Sequence, residues 1–274
     1  MTATSPAVPD GSAVTERRSS SAGVRATLSV LELLGARGPL PLAEVSRALG
    51  LPKSTGHRIC SVLVERCWAV RDTDGRYRLG IRALALSAGS SELPIVTAFR
   101  SVAADLLTLH DETVCLAAVD GDDSVFVALE ETSQPVRLVT HVGSRTPAFA
   151  SASGRVILCE RPPGHIEAGF GGRPLVTPTG RRLNGVAELR SILDGVRARG
   201  YAENDEETAA GLYAASVPVR NEAGIVLAAL TTCVPTSRVT PERRERLLAD
   251  LLAAGRRLSE LVAWLPAFDV RHPA

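Results

Sequence analysis

The sequence predicts an α+β chain with a small N-terminal winged helix-turn-helix domain and a larger C-terminal domain of mixed helices and strands. Three helical patterns and a hairpin pattern follow one another within about sixty residues near the N-terminus. Apolar runs with β character and amphipathic helical patterns share the rest of the chain. The 274 residues exceed one average domain and suit two of modest size.

The composition excludes several classes of protein. With 45% hydrophobic and 22% charged residues, the chain has an ordinary globular composition. No apolar run reaches the roughly 18–20 residues that cross a bilayer, and the N-terminus lacks the apolar segment of a secretory signal. The five cysteines show neither a disulfide framework nor the spacing of a metal or redox site. We therefore expect a cytoplasmic protein with no membrane contact and no metal or other cofactor.

The charge is unevenly distributed. Residues 22–82 hold ten Lys or Arg and five Asp or Glu, whereas residues 83–274 hold 19 basic and 23 acidic residues. A positive module joined to a slightly acidic one indicates a polyanionic partner for the first module.

Changes in pattern along the chain predict its domain boundaries. The first residues are rich in Ser, Thr, Pro and Ala without apolar periodicity, which is typical of disorder. The predicted parts are a disordered tail at 1–21, a winged helix-turn-helix domain at 22–80, a connecting helix at 81–91, an α+β domain at 92–265 and a C-terminal tail at 266–274.

In the first domain, three helices precede a hairpin. Apolar residues at helical spacing mark the first helix, which ends near Gly38: Val24, Leu28, Leu31 and Leu34. A second helix ends at Gly50 and a third begins at Pro52. Strands at 68–70 and 76–79 flank an Asp-Gly turn.

The second domain alternates helices with strands. A helix begins at Pro94 and runs toward His110, and the closing helix at 240–265 has Thr240 as its N-cap. The other predicted segments are strands at 113–120, 124–131 and 136–142, a helix at 151–160, a loop or lid at 161–185, a helix at 186–200, and strands at 211–220 and 224–234.

The third helix has the pattern of a DNA-recognition helix. Positions 56, 59, 60 and 63 share a face toward the core, so the short polar residues and Arg58 fall on the exposed face. Arg58 suits a bidentate guanine contact, and the start of the helix suits a phosphate. The candidate DNA contacts, including the arginines of the hairpin wing, are Lys53, Ser54, Thr55, His57, Arg58, Ser61, Arg71, Arg76 and Arg78.

Gly56 is an unusual residue on the core face of this helix. A glycine costs roughly 1 kcal/mol of helix propensity relative to alanine. We therefore expect Gly56→Ala, or Gly56→Val if space allows, to stabilise the first domain. Severe destabilisation would mean that the glycine lets another helix come close.

The stretches LGLPKSTGHR and GRYRLG resemble the DNA-binding domain of the IclR family of transcriptional regulators. Stretches at 134–160 and 189–219 resemble motifs of the second domain of that family, so the resemblance spans residues 23–262. It implies a GAF-like effector-binding domain, an operator in double-stranded DNA, a small-molecule effector and a homodimer or dimer of dimers. Repression is the mode of action that it favours, although the residues themselves do not separate a repressor from an activator.

The resemblance also implies an effector pocket. By position, its residues are Leu138, Ala152, Ser153, Asn204, Leu212, Ala214, Thr231 and Cys233. Asn204 stands where aspartate is frequent, Ala214 where cysteine is, and Thr231 and Cys233 where serines are. From the residues alone, the loop at 150–154 presents N–H groups at a helix start, which suits an organic acid. Simple packing of small residues between strand and helix explains the same pattern.

Two other functions stay open at this point. His141 and Cys233 with the acidic run at 203–207 are the residues from which an enzyme would be built, although no catalytic motif occurs. A winged helix used only for protein assembly is the other alternative. Apolar residues at 81–91 favour a dimer contact as much as packing within the chain, and a dimer would read two half-sites about one helical turn apart.

Overall fold

The computed structural model describes residues 11–83, 86 and 93–266, with side chains described from residue 22 onward. The chain divides between Ser90 and Ser91 into two compact units. Most of the predicted connecting helix at 81–91 and of the C-terminal tail at 266–274 lies outside the described residues. The boundaries of the predicted domains stay predictions.

The first unit is a three-helix module with a small sheet. Its elements are α1 Gly11–Arg37, β1 Leu40–Pro41, α2 Leu42–Ala48, α3 Lys53–Glu65, β2 Ala69–Arg71 and β3 Arg76–Leu79. The strands form an antiparallel sheet in the order β1-β3-β2. Three helices followed by a two-stranded wing confirm the predicted winged helix-turn-helix, and β1 adds an edge strand that the sequence pattern did not reveal.

Helix α1 differs from the prediction at two points. It begins at Gly11, so residues 11–21 are helical where a disordered tail was predicted; no Pro or Gly interrupts the chain between Gly11 and Gly23, and Ala, Glu and Arg favour helix. Val24 and Leu28 of the predicted apolar stripe are exposed, whereas Val30 and Leu34 are buried. Contact with α3 and β3 therefore begins only about halfway along α1.

The second unit is built on one six-stranded antiparallel sheet in the order β6-β5-β4-β9-β8-β7. Its strands are β4 Thr113–Asp120, β5 Asp123–Glu130, β6 Arg145–Pro147, β7 Ala202–Asp205, β8 Leu212–Arg220 and β9 Val226–Pro235. Its helices are α4 Pro94–His110, α5 Ala152–Leu158, α6 Pro163–Phe170, α7 Val186–Arg199 and α8 Pro241–Leu261, and a 3₁₀ turn covers Thr236–Arg238. The mixed α+β prediction is confirmed.

Each face of this sheet is covered by helices. On one face, α4 and α8 pack through residues such as Phe99, Leu106 and Leu251. On the other face, a second core gathers residues of α5, α6 and α7, among them Phe170 and Leu189. Because side chains alternate along a strand, each central strand contributes to both cores.

The helix ends of this unit follow the sequence signals. The Thr240 side chain accepts a hydrogen bond from the Arg243 N–H at 3.2 Å, which confirms the predicted N-cap of α8. Gly200 ends α7 in the left-handed region with φ of 79°. Among the described residues, no helix combines the length and the apolar character needed to span a membrane.

Two predictions for this unit are wrong. Residues 136–142 form no strand, because the edge of β5 is occupied by the segment that follows: Phe126 exchanges backbone hydrogen bonds with Gly143 and Ser144. The predicted loop at 161–185 contains α6, which begins at consecutive prolines and buries Ile166. The acidic run at 203–207, for which no element was predicted, begins inside β7, where Asn204 points inward and Glu203 outward.

Candidate functional site

Helix α3 separates a buried face from a polar face. Gly56, Ile59, Cys60 and Leu63 are buried, as the helical spacing predicted. The polar residues of the opposite side remain accessible: Lys53, Ser54, His57, Arg58 and Ser61 are exposed and Thr55 is half-buried. Lys53 is the first residue of the helix, so its charge adds to the N–H groups and dipole of that end. This face combines a helix start that suits a phosphate with polar side chains of the kind that can form hydrogen bonds to base edges.

The turn before α3 fixes the orientation of that face. Gly50 takes φ of 61°, and the Leu51 N–H donates to the Ser46 carbonyl at 2.9 Å. The left-handed region is open to glycine at little cost, which explains Gly50 between the two helices. Helix α3 is thereby held against α2 with its polar face outward, the arrangement of a helix that enters a major groove.

The wing presents arginines on two faces. Arg71 lies over the Tyr77 ring, with its Cζ 5.7 Å from the ring centroid. Arg76 and Arg78 lie on the opposite face of β3, since Tyr77 between them is buried. Asp72 Oδ1 accepts the N–H groups of the turn, including that of Arg76 at 2.8 Å. The wing tip is therefore ordered, and its guanidinium groups reach outward on both sides.

In the second unit, four of the residues predicted to line an effector pocket lie in two adjacent cross-strand rows. The first row runs in register from β7 to β4 through Asn204, Ala214, Cys233 and Thr113. The second row runs through Ala202, Ser216, Thr231 and Cys115. Members of both rows pack into the core beneath α5, so both rows face that helix. Hereafter this surface, formed by the two rows and the start of α5, is called the row face.

The start of α5 is tightly held. The Ser151 hydroxyl accepts the Gly154 N–H at 3.1 Å as an N-cap, and the hydroxyls of Ser153 and Ser124 are 2.7 Å apart. Gly154 has no room for a side chain, because a Cβ there would collide with the backbone of Ala148. Ala152 and Ser153 are buried over the sheet, and Leu138 and Leu212 pack half-buried at its margin. The structure therefore brings the predicted pocket residues together around one face.

Asn204 connects the row face to two loops. Its amide nitrogen donates to the Ala150 carbonyl, and its Oδ1 accepts the N–H groups of Glu207 at 3.2 Å and Thr208 at 3.4 Å. The side chain thus uses both its donor and its acceptor, which an aspartate could not do at neutral pH.

A buried ion pair that sequence reasoning missed supports the same loops. Arg155 Nη1 lies 2.5 Å from Glu207 Oε2, both side chains are buried, and Arg181 pairs with the other carboxylate oxygen. Arg155 Nε also donates to the Phe149 carbonyl at 2.8 Å. A basic residue in a helix and a distant acidic residue in a loop carry no local signal of pairing.

The thiols of Cys115 and Cys233 are neighbours on the row face. Cys115 pairs with Thr231 and Cys233 with Thr113, so the two cysteines stand diagonally on adjacent strands. The hydrogen bond between the thiols of Cys115 and Cys233, together with burial, raises the pKa of Cys115. Cys115 is therefore an uncharged thiol at neutral pH, and both buried cysteines act as small, weakly polar packing groups.

The residues of the enzyme alternative do not meet. His141 is exposed, and its Nδ1 is 3.0 Å from the Val142 carbonyl, whereas Cys233 is buried. Within the described part of the chain, no hydrogen bond joins these two residues. The described residues also contain no group of three or more His, Cys, Asp or Glu placed to hold a metal ion.

Comparison with known protein families shows the family to which the chain belongs. The model of the IclR helix-turn-helix domain matches residues 24–73, and that of the bacterial transcriptional regulator IclR C-terminal domain matches residues 88–260. The chain belongs to the IclR family. It is a DNA-binding transcriptional regulator, as the winged helix-turn-helix and the polar face of α3 indicated.

Two curated relatives match over most of their length. The probable transcriptional regulator SauR of Cupriavidus necator is 32% identical over 241 residues, which is 86% of this chain and 94% of SauR. The HTH-type transcriptional regulator KdgR of Escherichia coli is 29% identical over 234 residues, 84% of this chain and 88% of KdgR.

Solved structures share the fold. An IclR-type regulator from Silicibacter sp. TM1040 has a TM-score of 0.79 and 26% identity, covering 88% of this chain and 96% of its own. An IclR homologue from Microbacterium hydrocarbonoxydans, solved with 4-hydroxybenzoate, has a TM-score of 0.73 and 24% identity, covering 86% of this chain and 98% of its own.

Proposed function

We propose that the exposed face of α3 reads an operator in double-stranded DNA and that the wing holds the DNA backbone. The observation that carries the proposal is the outward placement of Ser54, His57, Arg58 and Ser61 on a helix whose other face is buried. Arg58 suits a bidentate contact with guanine, and Lys53 suits a phosphate. Arg71, Arg76 and Arg78 supply contacts with the backbone, which position the protein without specifying sequence.

We further propose that the row face binds a small organic acid as effector. The start of α5 offers N–H groups to a carboxylate, Thr231 and Cys233 offer polar atoms from the sheet, and Asn204 lines the site while holding its loops. The relative solved with 4-hydroxybenzoate supports an acid of this size. Because most of these side chains are buried, the effector enters only when the covering loops open.

The regulator acts by coupling these two sites within a homodimer or dimer of dimers in the cytoplasm. An effector that binds one arrangement of the dimer better shifts the population toward it and thereby changes the affinity for the operator. Such coupling is typically about 1–3 kcal/mol. Repression is the proposed mode, and the row face binds its ligand without catalysing a reaction.

A binding assay on the DNA upstream of the chain's own coding region tests the proposal. We expect specific binding whose affinity falls steeply as salt rises from 50 to 200 mM, since phosphate contacts release counterions. A scrambled duplex of equal length is the control. Equal affinity for both duplexes would contradict operator recognition and favour the alternative of a winged helix used for protein assembly.

Effector binding is tested on the protein alone. Thermal unfolding with millimolar carboxylic acids should show a raised Tm for the acid that binds the folded state. The same acid should then change the affinity for the upstream DNA. Turnover of that acid would instead support an enzyme.

A further inference from the structure

The structure assigns Thr113 to the effector site: we propose that its hydroxyl forms a hydrogen bond with a second polar group of the effector, away from the carboxylate. This inference rests on the proposed function of the row face. It makes Thr113, on the β4 end of the row face, a ligand contact in addition to the polar groups of α5, β7 and β9 named above. The effector class that follows is an organic acid that also carries a hydroxyl or oxo group.

The register of the sheet places Thr113 on the row face. Thr113 pairs with Cys233, which pairs in turn with Ala214, and Ala214 with Asn204. Side chains opposite each other on paired strands point to the same face. Thr113 therefore ends the row that contains three of the predicted effector residues, next to the Cys233 side chain.

The hydroxyl of Thr113 is buried and unpaired within the part of the chain that the structure describes. Thr113 is 0% exposed, and its Oγ1 forms no hydrogen bond with any described residue. The other described hydroxyls of this face are paired: Ser216 with Thr231 at 2.9 Å and Ser153 with Ser124 at 2.7 Å. Burying a hydroxyl without a partner is unfavourable, so a polar group of a ligand that reaches the Thr113 hydroxyl gains a hydrogen bond that the protein alone does not supply.

The surroundings of Thr113 define what it can recognise. Its neighbours on the row face are the Cys115 and Cys233 thiols, which are weak hydrogen-bonding groups. Leu129 is paired with Cys115, and Leu138 packs on the same core. A single hydroxyl surrounded by apolar side chains and thiols suits one uncharged polar substituent of the effector, because a hydroxyl can donate or accept a hydrogen bond. A second carboxylate would be left without a cationic partner there.

Thr232 provides a matched control on the opposite face. Its hydroxyl is also buried and has no hydrogen-bond partner among the described residues. Thr232 pairs with Val114 and Ala215, which belong to the core beneath α4 and α8. Thr113→Val and Thr232→Val therefore remove equivalent hydroxyls from the two faces of one sheet. Thr113→Ser keeps the hydroxyl and removes only a methyl group.

The experiment measures acid binding to the full-length protein by calorimetry. The probes are benzoate, 4-hydroxybenzoate, propionate, lactate, pyruvate, succinate and 2-oxoglutarate. We expect wild type to bind a hydroxy or oxo acid of this set, and Thr113→Val to weaken that binding by about tenfold, as for one lost hydrogen bond. Thr113→Ser and Thr232→Val should bind as wild type does. The analogue without the hydroxyl or oxo group should bind wild type and Thr113→Val equally.

The outcomes separate the two proposals. If a hydroxy or oxo acid binds wild type and Thr113→Val with equal affinity, the effector site exists and the role of Thr113 is wrong. If Thr232→Val weakens binding as much as Thr113→Val does, the effect is structural and the assignment is again wrong. If no probe binds wild type, the proposed acid site fails and the inference fails with it.

Discussion

The Ser46 hydroxyl on α2 lies directly against Gly56 on α3. A Cβ built at Gly56 would be 2.5 Å from Ser46 Oγ and 3.5 Å from Leu42 Cδ1. The glycine therefore allows the two helices of the DNA-binding module to approach closely. The Ser46 hydroxyl is buried and forms no hydrogen bond with any of the residues that the structure describes. The expectation that Gly56→Ala alone stabilises this module is therefore revised: the effect of the substitution on stability depends on the Ser46 side chain. Gly56→Val has no room.

We predict that substitutions at Ser46 and Gly56 are strongly coupled. Gly56→Ala alone should destabilise the first unit, because the new methyl group collides with Ser46 Oγ. Ser46→Ala should be neutral or stabilising, since it removes a hydroxyl without a partner. In the Ser46→Ala background, Gly56→Ala should stabilise by roughly 1 kcal/mol, since the Ser46 Cβ lies 3.7 Å away and helix propensity then favours alanine.

Urea unfolding of the four proteins in this cycle measures the coupling free energy. We expect a coupling free energy of about 1–3 kcal/mol. Additive effects would show that the Ser46 hydroxyl does not set the spacing of the two helices.

Asn204→Asp should destabilise the second unit by about 1–3 kcal/mol at pH 7. The substitution removes the donor to the Ala150 carbonyl and places a carboxylate beside that of Glu207. Asn184→Asp, on an exposed residue, is the control and should change stability by less than about 0.5 kcal/mol. Equal stability of Asn204→Asp and wild type in urea would mean that the amide does not hold the two loops together.

Glu112→Gln should lower the free energy of unfolding by about 3 kcal/mol. The Glu112 carboxylate is buried and accepts hydrogen bonds from Arg238 at 2.6 and 2.8 Å and from Arg243 at 2.8 Å, so the substitution leaves two guanidinium groups without their anion. The cost lies at the low end for buried ion pairs because both arginines are half-buried. Asp105→Asn breaks only the exposed pair with Arg257 and should cost less than about 1 kcal/mol. If urea unfolding showed similar losses of stability in Glu112→Gln and Asp105→Asn, the larger contribution assigned to the buried ion pairs of Glu112 would be wrong.

The contribution of Glu203 to stability should depend on pH. Burial disfavours its charge, but hydrogen bonds from Arg244 at 2.5 and 2.6 Å and from Tyr213 at 2.5 Å outweigh burial and lower the pKa of Glu203 below its ordinary 4.5. A carboxylate with a lowered pKa stabilises the folded state above the pKa of the unfolded chain and loses that effect as the pH falls.

Glu203→Gln should therefore be less stable than wild type at pH 7, and the difference should shrink as the pH falls below about 4.5. Chemical unfolding at pH 7, 5 and 4 measures it. Glu245→Gln, on an exposed residue of α8, is the control. A difference that stays constant down to pH 4 would contradict the proposed role of the charge.

The helices were predictable from the sequence because their signals are local. The spacing of Ile59, Cys60 and Leu63 and the glycines at the helix ends are enough to orient α3. The exposure of Val24 and Leu28 could not be predicted, because helical spacing does not say where along α1 the contact with α3 begins. The close approach at Gly56 likewise depends on which residue of α2 faces it.

For the second unit, the order of the strands in the sheet limited what could be predicted from the sequence. The valines at 136, 139 and 142 resemble a strand in composition, yet residues 143–147 take the edge of β5. Thr113 and Ser216 join the row face only because β4 and β8 both pair with β9, and such pairing between distant segments leaves no periodic signal. The same holds for Arg155 and Glu207, whose ion pair joins segments far apart in the sequence.

The most direct test of the account compares the sequence specificity of wild type, Arg58→Ala and Arg78→Ala on the bound operator and on duplexes with single base-pair changes. Fluorescence anisotropy at several salt concentrations should show that Arg58→Ala loses about 1–3 kcal/mol and no longer discriminates at one guanine position. Arg78→Ala should weaken binding to all duplexes alike and reduce the salt slope by about one. Arg256→Ala in the second unit is the control and should bind as wild type. Unchanged discrimination by Arg58→Ala at every position would contradict the claim that the exposed face of α3 reads the operator.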